Sequence, residues 1–396
     1  MTPEVAEFAA LHGPEHRSDP HPRLEWVRTN LPVLRTPTGE YVLTTHAGCR
    51  ALYDPESFGA LGRLSFPGSG RSRTRELMSD VISAKNPPEH TRLRKVFSRD
   101  FTMRRINDVQ PATAAFCEQL LDGVEEPLRD GETVDVMALI RPIPTHVIAE
   151  HLGVPEEDRE EVFADLVTLL AAISANAGED ALARGDEASV KAEAYFRALM
   201  AKRRANPADD ATSAWVAAEE KLTSDVLLSM LWGLIAGGLG TSIAALGSGV
   251  LVLLREPGAA RWLDRDPKAY AEEVLRYESP SFVGGVPKIA LRDVEVDGTV
   301  IPGGALVRSM LTSANRDGST FRDPHVFDPS RDLRDSLAFG HGIHLCLGAN
   351  MSRMELTTFL PLLHRRFPGL ELAGDPVWQA PEPVRGLSVL PVRLRG

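Results

Sequence analysis

The chain has 396 residues, 43% of them hydrophobic, which is enough apolar material to bury a large core. Its formal net charge of −11, with Asp and Glu spread along the whole length and no polybasic tail, argues against nucleic acid as a partner and for a soluble acidic protein. Three widely spaced cysteines, Cys49, Cys117 and Cys346, make no disulfide framework, and an N-terminus interrupted by Glu4, Glu7, His12 and Glu15 has no signal-peptide pattern, so a reducing cytoplasm is the expected setting.

In chain order, the first strand signal falls at 41–45. Asn86, Pro87, Pro88 and Glu89 then combine a capping side chain, prolines for a first turn and a carboxylate for the positive helix end, which predicts a helix start. Helical periodicity continues over 107–128, 133–152, 156–174, 187–205, 224–254 and 267–277. No charged residue occurs from 226 to 254, a length that would span a bilayer. The single occurrence, the absence of a basic flank and six glycines in the run favour instead the central helix of a large soluble domain, without stable membrane insertion.

Strands are expected at 294–301, 305–310 and 387–394. The segment 316–335, rich in Asp, Arg, Pro and Ser, reads as an ordered meander anchored by Phe321, Val326, Phe327 and Leu333. The fold class is therefore mainly α with small β-sheets. No interdomain linker or internal repeat is evident, so residues 1–396 are expected to form a single large domain.

Residues 339–349 read Phe-Gly-His-Gly-Ile-His-Leu-Cys-Leu-Gly-Ala and lead into an amphipathic helix whose apolar positions are Met351, Met354, Leu356, Phe359, Leu360 and Leu363. A cysteine at such a loop-to-helix junction lies near free amides and the positive dipole end, which favour thiolate over thiol. Gly340, Gly342 and Gly348 would let a flat ligand lie on the backbone. A lone cysteine is more often buried and inert, but the spacing of Phe339, Gly342, Cys346 and Gly348 matches Phe-x-x-Gly-x-x-x-Cys-x-Gly. By that signature the chain resembles the cytochrome P450 family, a resemblance that extends over nearly the whole sequence.

The resemblance implies the cytochrome P450 fold, a haem b (iron protoporphyrin IX) cofactor, and Cys346 as the iron ligand, with Phe339, Gly340 and Gly348 against the cofactor. Glu273 and Arg276 match the family's Glu-x-x-Arg, a buried structural pair to which Arg331 of the meander corresponds as third member. His90 and Arg94, four apart on one helix face, match its His-x-x-x-Arg, which holds a haem propionate, and His344 falls at another propionate position. Lys288 departs from the arginine usual in related bacterial enzymes, replacing a planar fork by a point charge.

The segment Ala236-Gly237-Gly238-Leu239-Gly240-Thr241 resembles the family's motif on the helix that crosses the distal, oxygen-binding face of the haem. Thr241 is then the alcohol that passes protons, and Gly237 and Gly238 open a groove for dioxygen. Gly240 occupies the position of the usual carboxylate, so protons must come from water, another side chain, a polar group of the substrate, or a carboxylate such as Asp225. By family position, substrate contacts fall in 58–85, 163–175 and 187–200, with Gly238, Leu239, Val283, Val286 and Leu387 making a mostly apolar pocket. Arg63, Arg71 and Arg73 belong either to an anion site or to an exposed loop.

The resemblance further implies an oxidoreductase, a monooxygenase that inserts one oxygen of dioxygen into a small organic substrate. Electrons would come from NAD(P)H through a ferredoxin reductase and a ferredoxin, docked on a basic patch of Arg92, Arg104, Arg105 and His341. Oxidative coupling, ring closure or peroxide-driven oxidation, and a non-catalytic haem sensor, remain the alternatives.

Overall fold

The computed structural model of the protein describes residues 2–64, 72–172, 178–218, 222–380 and 383–395. Backbone contacts divide the chain into two compact units. One comprises Met1–Gly59, Ala114–Ile143 and Gly240–Gly396, and the other Ala60–Thr113 and Pro144–Leu239.

The first unit is organised around a five-stranded sheet, in the order Val33–Arg35, Tyr41–Leu43, Leu306–Ser309, Lys288–Ala290, Phe58–Ala60. The second and third strands run parallel, Tyr41 opposite Val307, and the other pairs described are antiparallel. Side chains alternate across a strand, and here both faces are covered. Val33, Tyr41 and Leu43 join a core with Cys49, Phe58 and Val307, whereas Leu34 and Val42 pack with Phe8, Leu24, Phe282 and Val283.

Two expected strands are divided. The run 294–301 is a hairpin of Val294–Val296 and Thr299–Ile301. Its turn residues Asp297 and Gly298 both have positive φ, 47° and 76°, the geometry that matches strand twist. The run 387–394 separates into Leu387–Val389, which pairs with Val377–Trp378, and Pro391–Leu394, which pairs with Val134–Asp135 and Leu370–Leu372.

Helix Pro267–Tyr277 coincides with its predicted bounds, because Asp266 caps the Ala269 N–H at 3.0 Å and proline supplies the first turn. Helix Ala349–Arg366 buries Met351, Met354, Leu356, Phe359, Leu360 and Leu363 along one stripe. The expected helix 133–152 is interrupted. Val134–Asp135 is a strand, Asp135 caps Val136–Ile140, and a new helix Pro142–Leu152 begins at a residue with no N–H to continue the previous one.

The predicted helices 107–128 and 187–205 are longer, Met103–Arg129 and Glu179–Ala205. The 156–174 helix is Glu156–Ala172, and positions 173–174 lie outside the described residues. In the second unit this helix packs against Glu179–Ala205. Buried Trp215 anchors the unit by donating its indole N–H to Asp100 at 2.8 Å.

The charge-free run is part of helix Ser224–Arg255, which passes from the second unit into the first. It is long and apolar enough to cross a membrane, yet 61% of its most apolar window is buried within the protein. Within the meander Phe321 is buried, and Phe327 packs its ring 5.3 Å from that of Tyr270. Val326, expected as an anchor, is exposed.

Candidate functional site

The cysteine loop is built from short local bonds. The Gly340 N–H donates to the Leu337 carbonyl at 2.9 Å, the Leu345 N–H to Gly342 at 3.1 Å, and the Cys346 N–H to Phe339 at 2.9 Å. Gly340 and Gly342 sit at φ +71° and +67°, in the left-handed region that other residues adopt at a cost. A Cβ on Gly340 would lie 2.8 Å from the Tyr53 hydroxyl. The Phe339 ring is held by the Arg353 guanidinium, 4.5 Å from its centroid, and Arg353 in turn donates to Glu272 at 3.1 Å. Cys346 is exposed, three residues before the first turn of Ala349–Arg366. Cys49 and Cys117 are buried thiols, each pushed up to about 12 by burial, which suits them to packing and not to ligation.

Two further observations fit an iron porphyrin. At Gly348, where φ is an ordinary −81°, an added Cβ would meet no atom within 4 Å, so the glycine provides open space over the loop. Lys288 is half-buried with its ammonium 5.3 Å from the Tyr53 ring. Burial lowers its pKa, and no carboxylate among the described residues offsets that effect. An anionic group such as a propionate would supply the missing charge. His344 is half-buried in the same loop, and His341 packs edge-on to Tyr53 at 6.1 Å.

In the second unit, His90 is 3% exposed and Arg94 half-buried on helix Glu89–Phe97. Asn86 is not the cap of that helix. Its amide accepts from the Ala60 N–H and donates to the Ala60 carbonyl, both at 2.8 Å. Arg63 donates to Ser79 at 2.7 Å and Arg73 to Glu193 at 2.8 and 3.0 Å, so both are engaged within the protein; Arg71 lies outside the described residues. Arg105 is paired with Asp209, Asp100 and Asp108, which removes it from the expected docking patch.

Glu273 and Arg276 have no exposed side-chain surface and share two hydrogen bonds, at 2.7 and 2.6 Å. Arg276 also donates to the carbonyls of Asn315 and Pro324. Arg331 approaches the same carboxylate at 3.5 Å, while the Asp328 N–H donates to it at 2.9 Å.

On the long helix, Gly237 and Gly240 are exposed and Thr241 is half-buried. The atom nearest a Cβ on Gly240 is a Val384 methyl at 4.0 Å, so Gly240 is not a packing position. Leu239 is buried, and a Cβ on Gly238 would press on Ile148 at 3.2 Å. Val283 and Leu387 are 2% and 1% exposed, part of the packed core, whereas Val286 is half-buried. Sequence reasoning passed over Tyr53 and the buried carboxyl of Glu355. Tyr53 carries no motif, but Glu355 falls four residues from both Met351 and Phe359, on the apolar stripe of its helix, which marks it as a buried charge.

Comparison with known proteins agrees with this geometry. Residues 268–394 match the family described as Cytochrome P450. The chain is 38% identical to cytochrome P450 BJ-3 of Bradyrhizobium diazoefficiens, across 98% of this chain and 96% of that protein. It is 33% identical to the cytochrome P450 monooxygenase PikC of Streptomyces venezuelae, across 100% and 95%. Among solved structures it is similar to P450BioI in complex with hexadec-9Z-enoic acid ligated acyl carrier protein, with a TM-score of 0.86, 30% identity and coverage of 96% and 99%. Similarity at this level leaves almost no part of the sequence outside the relationship, and the chain belongs to the cytochrome P450 family, oxidoreductases whose cofactor is haem b.

Proposed function

We propose that this protein is a monooxygenase that inserts one oxygen atom of dioxygen into a small organic substrate, with the Cys346 thiolate as the iron ligand. The observation that carries the reading is the exposed Cys346 at the turn into helix Ala349–Arg366, its N–H tied back to the Phe339 carbonyl. Haem, when bound, supplies dioxygen activation at the expense of two external electrons.

The protein's own residues supply position and proton control. The helix N-terminus stabilises the Cys346 thiolate. Phe339, Gly340 and Gly348 form the surface under the ring. His90, Arg94, His344 and Lys288 take the propionates, Lys288 as a single point charge that a fork-shaped arginine would replace with two directed bonds. The Thr241 hydroxyl passes protons toward the reacting oxygen, with Gly237, Gly238 and Gly240 leaving room beside it. Gly238, Leu239 and Val286 keep the substrate side apolar, which suits a largely hydrophobic substrate, while Val283 and Leu387 belong to the packed core. Glu273, Arg276 and Arg331 act on structure alone.

Relatives named for acting on nocardicin C, 6-deoxyerythronolide B and vitamin D(3), and a solved relative holding myristic acid, support an organic substrate with substantial apolar surface and a place in bacterial secondary metabolism or catabolism. A ferredoxin and an NAD(P)H-dependent ferredoxin reductase are the electron donors that fit a chain without a flavin or iron–sulfur sequence. A soluble, cytoplasmic protein fits the burial of its most apolar helix.

The test is spectroscopic first. The reduced carbon monoxide complex of the wild-type holoenzyme should show the long-wavelength Soret band of thiolate ligation, and Cys346→Ala should lose it; retention of that band in the variant would overturn the ligand assignment. A screen for substrates that shift the haem spin state, followed by product mass, then separates gain of one oxygen from loss of two hydrogens, which would mean coupling or desaturation.

A further inference from the structure

Helix His21–Asn30, the C-terminal end of Ser224–Arg255 and the start of the meander enclose a cavity of about 400 Å3, large enough for a small organic ligand. All the residues that line it lie in the first unit, and none belongs to the cysteine loop or to the glycine-rich motif around Thr241.

The buried floor of this cavity is short of negative charge. Arg316, 3% exposed, donates through Nε to the Tyr277 carbonyl at 2.8 Å and lays its guanidinium on the Tyr277 ring, 3.5 Å from the centroid. Its other two nitrogens are poorly served. Nη2 stands 3.4 Å from Glu278 and Nη1 3.5 Å from His325 Nδ1, both past the usual hydrogen-bond length of about 2.7–3.2 Å. Glu278 also accepts from the buried Arg385, so two guanidinium groups share one carboxylate, and an uncompensated charge in the interior is costly. His21 shows the same deficit. It is 6% exposed, and neither ring nitrogen has a hydrogen-bond partner among the described residues, Glu278 standing 3.8 Å from Nε2. Burial, reinforced by the Arg316 charge, lowers its pKa to about 4, so the ring is neutral at neutral pH and offers one N–H with no acceptor.

Leu251 and Val252 make an apolar wall, and the rim is acidic: Asp19 and Glu25 are exposed, and Glu256 accepts from the Tyr277 hydroxyl at 2.8 Å. Exposed charges are screened by solvent and buried ones far less, so the floor sets the sign of a ligand's inner group and the rim limits its total charge. We propose that this cavity is a second ligand site, which takes an organic monocarboxylate with its carboxylate between Arg316 and His21 and its alkyl or aryl group along Leu251 and Val252. One carboxylate balances the second guanidinium, and its two oxygens suit the planar fork of Arg316. A multiply charged anion such as phosphate meets Asp19, Glu25 and Glu256 at the rim and is disfavoured. The site is independent of the monooxygenase reading, and its ligand does not touch the iron.

The probe is benzoate, with benzamide as its uncharged counterpart and inorganic phosphate as the multiply charged control. Each is titrated into holoenzyme containing isotope-labelled histidine, in the diamagnetic reduced carbon monoxide form, and followed by magnetic resonance and calorimetry. The ring signals of His21, identified by their absence in His21→Phe, should shift and saturate with benzoate while the Soret band stays in place. Benzoate should bind at least about tenfold more tightly than benzamide or phosphate.

His21→Phe and Arg316→Lys should each weaken benzoate binding about tenfold, the first by removing the N–H and the second by replacing the fork with a point charge. Glu25→Gln at the rim should instead raise affinity for phosphate, by a factor that fades in high salt. Absence of a saturable His21 shift with benzoate, equal affinity for benzamide, or binding that moves the Soret band and survives both floor variants would overturn the proposal, the last by placing the ligand at the haem. Phenylalanine replaces a neutral buried ring with an apolar one of similar shape, so His21→Phe should fold; if Arg316→Lys does not, His21→Phe and the comparison of benzoate with benzamide in wild type decide the matter.

Discussion

Arg276 meets Glu273 edge-on, Nε to Oε2 at 2.7 Å and Nη2 to Oε1 at 2.6 Å, with no exposed surface on either side chain. Such a pair repays the desolvation of two charges only because further hydrogen bonds fill the remaining positions, and removing one partner strands the other. Glu273→Ala should therefore cost about 3–5 kcal/mol in urea unfolding. Arg393→Ala, which breaks an exposed pair with Glu371 at 3.0 Å, should change stability by about 0.5 kcal/mol or less. Equal effects of the two substitutions would refute this reading.

Acid sensitivity should trace in part to His151. The ring is 5% exposed against Phe101, and burial, reinforced by the Arg105 charge, lowers its pKa to about 4. The unfolded chain takes up this proton near pH 6.5, whereas the folded protein resists it. The stability contribution is thus complete above about pH 6.5 and lost as pH falls toward 4. From pH 7 to pH 5 the loss should be about 2 kcal/mol for this residue. Urea midpoints at the two pH values should show that loss reduced in His151→Phe. The buried His21, also held at about 4, should contribute in the same sense.

The glycines of the cysteine loop should separate into two kinds. Gly340 is required by backbone and neighbour together, so Gly340→Ala should destabilise even the haem-free protein by about 1–2 kcal/mol, given φ +71° and the Tyr53 hydroxyl at 2.8 Å. Gly348 has ordinary φ and open space, so Gly348→Val should leave the haem-free protein within about 1 kcal/mol of wild type while weakening haem retention. Haem transfer to an acceptor protein, measured beside urea unfolding of the haem-free form, distinguishes the two; normal retention in Gly348→Val would place the cofactor elsewhere.

What the sequence made legible was local. The cysteine loop is defined by glycines within ten residues of one another, and helix Pro267–Tyr277 by its own cap and proline. The hairpin at Asp297–Gly298 was hidden because its two strands continue one apolar alternation, although the Asp-Gly pair is a turn signal in its own right. Asn86 was read as a cap because it directly precedes a helix start, yet its amide is occupied by the backbone of Ala60, twenty-six residues earlier. The half-burial of Lys288 over Tyr53 arises between a strand residue and a turn residue far apart in the chain and leaves no local trace. Glu355 was the opposite case: its place on an apolar stripe was visible in the spacing and was passed over for want of a motif.

Gly240→Asp tests whether the missing acid matters. A Cβ there meets only a Val384 methyl at 4.0 Å, an ordinary contact, so the backbone position accepts a side chain. Replacing a helix-interior glycine with aspartate slightly improves helix propensity, and overall stability should stay within about 1 kcal/mol of wild type. The added carboxylate precedes Thr241 directly in the chain and adds a proton source beside it. With a substrate chosen by its spin-state shift, the fraction of electrons lost as hydrogen peroxide, measured against NAD(P)H consumed, should fall relative to wild type. If peroxide loss is identical in wild type and Gly240→Asp, protons reach Thr241 independently of that position.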